Sequence, residues 1–284
     1  MKSYQELLSE MRNLEKKLAT AKKNEREQEA KKLLKIGKVK GYEFIKNNYE
    51  DTQSFNFLTS FFHSTRYKNL IKLVKKISRH YDNLRVIDIG CGTAKAYSVL
   101  SSTGIKFEYL GIELRDDYVN LALSRYKSNK NFSIICESVE NTFKYFNNSD
   151  VIIGLESLEH IPESVVVKTI EAIGKSNCKY MYFTAPNEIG PAILIKNIGS
   201  FLMGYPRYKE YLWKETFFAS IFELEKVGRH GVGHKGFDWR WLAHTLRQHC
   251  KIISYTSNPY NFVPKLFSPS IGFICRNDKQ DELT

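Results

Sequence analysis

The sequence lacks the features that mark secreted, membrane-spanning or disulfide-stabilised proteins. Its five cysteines are scattered and form no Cys-x-x-Cys pair, which argues against a metal knuckle and indicates buried free thiols in a reducing compartment. The N-terminus has no apolar signal core. The most apolar stretch, residues 189–205, is interrupted by Lys196 and is shorter than the roughly 20 apolar residues of a membrane span. We therefore expect a cytoplasmic protein without a transmembrane segment.

Acidic residues are comparatively few in the first part of the chain. Residues 1–80 hold 19 Lys/Arg and 9 Asp/Glu, a net charge of +10 (19 − 9), whereas residues 81–284 hold 24 and 22, a net charge of +2. An anionic partner, nucleic acid included, would therefore be attracted first to the N-terminal part. A solvated helical surface explains the same charge equally well.

The N-terminal segment also carries a heptad pattern. Apolar residues recur at alternating steps of three and four, at Tyr4, Leu7, Met11, Leu14, Leu18 and Ala21. Three heptads are near the lower limit for a stable coiled coil. We predict a basic helical or coiled-coil segment over residues 1–40, with a homodimer through residues 4–22 or a lone helix packed on the core as the alternatives.

The remainder, residues 41–284, has the pattern of a single α/β domain. Seven short apolar runs indicate strands, and helical stretches separate the first five. The runs are 84–90, 107–113, 132–137, 150–156, 179–186, 250–257 and 270–276. Strands that alternate with helices predict a doubly wound parallel sheet with helices on both faces. The last two runs have no helix between them and predict an antiparallel hairpin at the sheet edge.

The stretch VIDIGCGTA (86–94) predicts a ligand site. It reads as a strand, a glycine-rich turn and the start of a helix, so Gly90 and Gly92 allow a ligand close to free backbone N–H groups. Asp88, at the strand end, would repel a pyrophosphate but suits an ammonium group. The next strand ends at Glu113, whose carboxylate can accept hydrogen bonds from ribose hydroxyls. These groups together predict a ribosyl ligand with a positively charged amino-acid portion.

On these residues the chain resembles class I S-adenosylmethionine-dependent methyltransferases. VIDIGCGTA resembles their first motif, GIE (111–113) their second, CESVE (136–140) their adenine loop, and DVIIGLESLEHIPE (150–163) their fourth. The resemblance covers roughly residues 60–276 and implies a Rossmann-like seven-stranded sheet with S-adenosyl-L-methionine as cofactor. Ala94 stands where a third glycine is common. The resemblance assigns cofactor binding to Asp88, Gly90, Cys91, Gly92, Glu113, Leu114, Glu137, Ser138 and Leu155, and Arg66 and Tyr67 either close over the cofactor or simply pack.

The acceptor site should follow the fourth strand, at Glu156, Glu159 and His160. A long segment, 187–250, separates the fifth and sixth strands and predicts a helical lid over the active site. In our first interpretation the enzyme needs no metal, His234 or His160 is the general base, and Glu156 and Glu159 line the pocket. The acceptor is then a hydroxyl of a glycan, a lipid-linked molecule or a small metabolite, because HKGFDWRWLAHTLRQH (234–249) resembles bacterial O-methyltransferases of that kind.

The same four residues support a second interpretation. Glu156, Glu159, His160 and His234 resemble the metal ligands of small-RNA 3′-terminal 2′-O-methyltransferases, in which a divalent ion grips the terminal ribose hydroxyls. Oxygen and nitrogen donors of this kind suit Mg²⁺ or Mn²⁺. The nearly neutral charge of residues 81–284 disfavours nucleic acid. A non-catalytic cofactor-binding scaffold and an N-methyltransferase are the remaining, weaker alternatives.

Overall fold

A computed structural model describes residues 57–202, 211–228 and 233–277. The predicted basic segment 1–40 and its heptad pattern over residues 4–22 lie outside these residues. The description below concerns the unit Phe61–Thr284, together with the start of the helix that leads into it.

Five parallel strands form most of one seven-stranded sheet. They are β1 (Leu84–Ile89), β2 (Phe107–Glu113), β3 (Phe132–Cys136), β4 (Val151–Leu155) and β5 (Tyr180–Pro186), followed by β6 (Lys251–Ser257) and β7 (Ser270–Arg276). The strand order is β3-β2-β1-β4-β5-β7-β6, and β7 pairs antiparallel with both β5 and β6. All seven predicted strands and the edge hairpin are therefore confirmed.

Helices connect the strands. The α-helices are α1 (Phe57–Ile77), α2 (Lys95–Ser101), α3 (Asp116–Tyr126), α4 (Glu163–Lys175), α5 (Pro191–Leu202), α6 (Trp213–Ser220) and α7 (Trp239–His249). Short 3-10 helices cover Ser78–His80, Val139–Asn148, Leu158–His160 and Leu224–Lys226. The predicted lid region therefore contains three α-helices within its described part. In the part of the chain that the structure describes, no helix is long and apolar enough to cross a membrane.

The core lies on both faces of the sheet because the central strands are apolar on both sides. Val86 packs with α1, α2 and α3 on one face, in a cluster that includes Leu70, Val74, Tyr97, Leu100 and Ala122. Its neighbour Ile87 packs on the other face with α4 and α7, in a cluster that includes Val166, Ile170, Leu242 and Leu246. This alternation along the strand confirms the prediction of helices on both faces.

The strand order also determines where a ligand can bind. β1 lies between β2 and β4, so the chain moves outward in opposite directions from β1, and the connections after β1 and β4 lead to helices on opposite faces of the sheet. A crevice forms at such a point, outside the carboxyl ends of the strands. Asp88, Glu113 and Glu156, the acidic residues predicted to serve the site, lie at or just after the carboxyl ends of β1, β2 and β4.

Candidate active site

The loop after β1 is built on left-handed backbone conformations. Gly90, Gly92 and Ala94 have φ angles of 64°, 55° and 61°. A side chain on Gly90 would collide with the loop after β4, since a Cβ there would lie 2.6 Å from the Cβ of Ser157. A Cβ on Gly92 would meet nothing within 4 Å among the described residues. The two glycines therefore have different roles: Gly90 allows close packing of the protein, and Gly92 leaves space open for a ligand.

A matched pair of substitutions separates these roles. We expect Gly90→Ala to lower the free energy of unfolding by about 2 kcal/mol or more, because it adds a collision to the left-handed strain. Gly92→Ala should cost only about 1 kcal/mol in stability, yet its methyl group would weaken binding of S-adenosylhomocysteine about tenfold or more. Thermal unfolding and calorimetric titration of both variants measure the two effects. Equal losses of stability would contradict the assignment.

Asp88 provides a buried acidic group at the end of β1. It is 3% exposed, and the hydroxyl of Tyr109 donates a 2.6 Å hydrogen bond to its Oδ2. Burial raises the pKa of Asp88 to about 7, although the Tyr109 hydrogen bond and the charge of Arg66 act in the opposite direction. A buried carboxyl group of this kind is poised to ionise when a cationic partner arrives.

Glu113, at the end of β2, is held by the backbone around it. Its Oε2 accepts from the Gly92 N–H at 2.8 Å, and its Oε1 accepts from Leu114 and Arg115 at 2.9 and 3.0 Å. A carboxylate offers about four lone-pair directions, so one direction on Oε2 is left for a ribose hydroxyl. To grip both hydroxyls, as predicted, the carboxylate would have to share one of its present bonds.

The other residues predicted to bind the cofactor differ in their burial and hydrogen bonds. Glu137 accepts from the Ser138 N–H at 2.8 Å and from the Asn141 side chain at 2.9 Å, and these bonds lower its pKa. Leu114 is 70% exposed, as an apolar contact for a flat ring requires. Leu155 is half-buried at the end of β4. The Cys91 side chain, in contrast, is buried in the core, so only its backbone lies at the loop surface.

Three predicted acceptor-side residues come together beyond β4. Ligand atoms of Glu159, His160 and His234 all lie within 4.8 Å of one another, and the two imidazole rings meet edge to face with centroids 4.9 Å apart. The Gly233 N–H donates to the carbonyl oxygen of Glu159 at 2.7 Å. This bond fixes the start of the His234 loop against the loop after β4.

Glu159 is the unusual member of this cluster. The residue is 2% exposed, and neither carboxylate oxygen has a hydrogen-bond partner among the described residues. Burial, reinforced by the charge of Glu156, raises its pKa well above the usual range. A buried carboxylate normally has a partner, so this arrangement is suited to holding a cation.

The two histidines are neutral in this environment. Burial lowers the pKa of His234 to about 4 and also lowers the pKa of His160. A neutral imidazole is the form that binds a metal ion. One carboxylate and two neutral imidazoles are therefore an appropriate donor set for a divalent cation.

Glu156, the fourth candidate ligand, does not belong to this three-residue cluster. Its Oε2 lies 2.6 Å from Nη1 of Arg66, in an ion pair with side chains 10% and 2% exposed. Glu156 also has a positive φ of 53°. The interpretation that all four residues bind one metal stays a prediction, and in this structure Glu156 pairs with Arg66 from α1.

Residues 86–176 match a methyltransferase domain family model. Seven strands in this order, with acidic residues at the ends of β1 and β2 around a glycine loop, agree with that match. Residues 86–176 thus carry a methyltransferase domain, and the sheet around them has the Rossmann-like fold of class I S-adenosylmethionine-dependent methyltransferases. The cofactor of that family is S-adenosyl-L-methionine, and the groups present suit it: Asp88 is a buried carboxyl group, and a Cβ on Gly92 would meet nothing within 4 Å among the described residues.

Solved structures show the same fold at low identity. An S-adenosylmethionine-dependent methyltransferase from Clostridium acetobutylicum is 11% identical over 83% of this chain and 98% of its own, with a TM-score of 0.52. The methyltransferase domain of bacterial CtHen1 is 14% identical over 76% and 99%, with a TM-score of 0.51. The CurJ carbon methyltransferase is 12% identical over 74% and 54%, with a TM-score of 0.50. A comparison with curated proteins gave no match.

The methyltransferase domain has functional groups that the sequence did not reveal. One is Tyr109, whose hydroxyl bonds Asp88. Another is the buried pair formed by Glu188 and Lys196, with Nζ 2.5 Å from Oε1, and the charge of Glu188 acts on His234. Each has a signal in the sequence: the hydroxyl of Tyr109 lies within an apolar strand, Glu188 follows β5, and Lys196 lies within an apolar helix. Each requires a buried partner.

Proposed function

We propose that the protein transfers a methyl group to a hydroxyl oxygen, and that Glu159, His160 and His234 hold a divalent cation beside that oxygen. The observation that carries this proposal is the Glu159 carboxylate, which is buried without a hydrogen-bond partner among the described residues and lies beside two imidazoles. Leaving an ionised carboxylate uncompensated in the interior costs several kcal/mol. A cation at this place would remove that cost.

The state of His234 supports a ligand role over a base role. A base whose pKa is about 4 is a weak acceptor for a hydroxyl proton, because general bases work best when their pKa is near the operating pH. The metal-free alternative, with His234 or His160 as the base, requires that the acceptor raise that pKa on binding. The same imidazoles can bind a cation without any such change.

In this proposal each group has one task. S-adenosylmethionine supplies a methyl group activated by its sulfonium: the bond from the methyl carbon to sulfur breaks as the bond to the hydroxyl oxygen forms, and S-adenosylhomocysteine leaves. A divalent cation held by these residues would lower the pKa of the hydroxyl, so that its proton can pass to solvent. Asp88 takes the cofactor's ammonium group, and Glu113 and Glu137 hold its ribose and adenine ends. Glu159, His160 and His234 orient the acceptor side, so the hydroxyl oxygen is held in line with the methyl carbon.

The surface of the lid favours a glycan or lipid-linked acceptor. Large apolar side chains of α5 and α6 are exposed; they are Leu194, Ile195, Ile198, Phe201, Trp213 and Phe217. An apolar surface of this kind suits an amphiphilic molecule, while a sugar supplies the hydroxyl groups. We therefore propose a hydroxyl-rich acceptor, with a lipid-linked saccharide as the first choice.

The 2′-hydroxyl at an RNA 3′ end is the second candidate. Three of the four residues that resemble RNA-methyltransferase ligands do come together. A terminal ribose offers the neighbouring hydroxyls that such a site would grip. The structural likeness to CtHen1 concerns the fold alone, so the acceptor has to be decided by experiment.

The test begins with Mn²⁺ as the probe. We expect the full-length protein with saturating S-adenosylhomocysteine to bind one Mn²⁺ per chain, by calorimetry, and to lose it to EDTA. Methyl transfer from labelled S-adenosylmethionine is then measured, with Mn²⁺, to a lipid-linked saccharide, a free oligosaccharide and short RNAs with free or phosphate-blocked 3′ ends. Transfer to saccharide supports the first choice, whereas transfer to the unblocked RNA alone supports the second. Failure to bind Mn²⁺, with transfer undiminished in EDTA, would refute the cation site.

A further inference from the structure

A buried ion pair lies between the cofactor crevice and the proposed cation site. Arg66, from α1, reaches Glu156, the first residue after β4, with 2.6 Å between Nη1 and Oε2. Arg66 is 1% exposed. Glu156 has a left-handed backbone, with φ of 53°, and its N–H donates to the carbonyl oxygen of Thr184 at 3.0 Å. A non-glycine residue in this conformation is strained, and such strain concentrates at functional sites.

Each member of the pair acts on a different neighbour. The positive charge of Arg66 lowers the pKa of Asp88, in the cofactor crevice. The negative charge of Glu156 acts on all three members of the proposed cation site: it adds to the rise that burial causes in the pKa of Glu159, and it opposes the fall that burial causes in the pKa of His160 and His234. Both members of the 2.6 Å ion pair therefore act electrostatically on groups outside it, Arg66 on the proposed cofactor site and Glu156 on the proposed cation site.

We propose that Arg66 exchanges Glu156 for the α-carboxylate of the bound cofactor, and that the released Glu156 joins Glu159, His160 and His234 around the cation. Cofactor binding would thus assemble the acceptor side of the site. This inference rests on the cation site proposed above.

The connectivity of the cofactor supports the exchange. Its ammonium and carboxylate groups are attached to the same carbon atom, so a carboxylate whose ammonium partner binds Asp88 must lie within a few ångströms of that residue. Among the described residues, Arg66 carries the positive charge that opposes the rise in the pKa of Asp88. A guanidinium binds a carboxylate through two parallel hydrogen bonds, so the cofactor offers Arg66 a partner equivalent to Glu156.

Charge balance supports the second part of the proposal, in which Glu156 joins the cation site. While Arg66 pairs with Glu156, the cation site contains one carboxylate, and a guanidinium lies nearby. After the exchange, Glu156 and Glu159 together carry two negative charges, which balance a divalent cation beside two neutral imidazoles. Binding of the cofactor and of the cation should therefore reinforce each other by the same factor, because coupling between two sites is reciprocal.

The experiment compares three states of the unmodified full-length protein. Mn²⁺ is titrated without nucleoside, with saturating S-adenosylhomocysteine, and with saturating S-adenosyl-3-thiopropylamine, which keeps the amine and lacks the carboxylate. We expect S-adenosylhomocysteine to tighten Mn²⁺ binding about tenfold or more. S-adenosyl-3-thiopropylamine should leave the Mn²⁺ affinity within about twofold of its value without nucleoside. Mn²⁺ should increase the affinity for S-adenosylhomocysteine by the same factor.

Variants locate the effect. Glu156→Gln should reduce Mn²⁺ affinity in the presence of S-adenosylhomocysteine to the value without it, whereas Glu163→Gln, at the start of α4, should keep the full coupling. Equal Mn²⁺ affinity with and without S-adenosylhomocysteine would overturn the exchange and leave the cation site intact. If S-adenosyl-3-thiopropylamine increased Mn²⁺ affinity as much as S-adenosylhomocysteine does, the role of the cofactor's carboxylate would be overturned. Absence of Mn²⁺ binding in every state would overturn the cation site and the exchange with it.

Discussion

Glu159→Gln is expected to reduce Mn²⁺ affinity by at least about 100-fold, since the carboxylate is the only anionic ligand in the three-residue cluster and ligand-shell losses reach this size. Methyl transfer should fall with it. The affinity for S-adenosylhomocysteine in EDTA should stay within about twofold, because Glu159 is outside the glycine loop and the β2 end. Calorimetry with each ligand separates the two effects. A parallel loss of cofactor affinity would instead indicate that Glu159 supports the crevice.

The stability of the same variant provides an independent measurement. The pKa of Glu159 is raised in the folded protein, so above pH 4.5 the unfolded chain releases a proton that the folded protein retains. This contribution is fully present below pH 4.5 and is lost as the pH rises towards the raised pKa. In EDTA, Glu159→Gln should therefore gain stability relative to the natural protein as the pH rises, and Mn²⁺ should stabilise only the natural protein. Glu225→Gln, at an exposed position of the 3-10 helix Leu224–Lys226, is the control.

The sheet could be predicted, and the cofactor site proposed, because local patterns determine both. Apolar runs of strand length marked all seven strands, and the absence of a helix between β6 and β7 marked their hairpin. The loop from Asp88 to Gly92 is continuous in sequence, so its backbone requirements were visible there. Even so, the constraint on Gly90 was hidden, because it comes from Ser157, which is distant in sequence and packs against it only in the folded protein.

The acceptor side was harder to predict because distant residues build it. Glu159 and His160 follow β4, whereas His234 comes from the lid region, and only the fold brings their ligand atoms within 4.8 Å. Motif resemblance identified these residues but gave Glu156 the same role. The ion pair of Glu156 with Arg66 depends on where α1 crosses the sheet, and helix position cannot be read from a periodic pattern. The acceptor's identity depends on surfaces that no motif encodes.

Asp88→Asn is expected to stabilise the ligand-free protein at alkaline pH and to impair cofactor binding. The carboxyl pKa rises from 3.8 to about 7 on folding, so the natural protein loses stability as the pH rises from about 4 to 7, by about 4 kcal/mol in total. The amide side chain of the variant does not ionise, and this loss should disappear. Denaturant unfolding at pH 5 and pH 8 measures the difference. The free energy of unfolding of the variant should exceed that of the natural protein at pH 8 and not at pH 5.

Cofactor binding should favour the natural protein over the Asp88→Asn variant. The ammonium group of the ligand stabilises the ionised form of Asp88, so binding of S-adenosylhomocysteine at pH 7 should release about half a proton, measurable as a dependence of the binding enthalpy on the buffer. The variant should release none and bind about 100-fold more weakly, because the ammonium loses its charged partner. 5′-Methylthioadenosine, which lacks the amino-acid portion, should bind both proteins equally. If the variant lost as much affinity for 5′-methylthioadenosine as for S-adenosylhomocysteine, Asp88 would shape the loop and would not recognise the ammonium group. Selection for cofactor binding therefore keeps a carboxyl group that the empty protein would be more stable without.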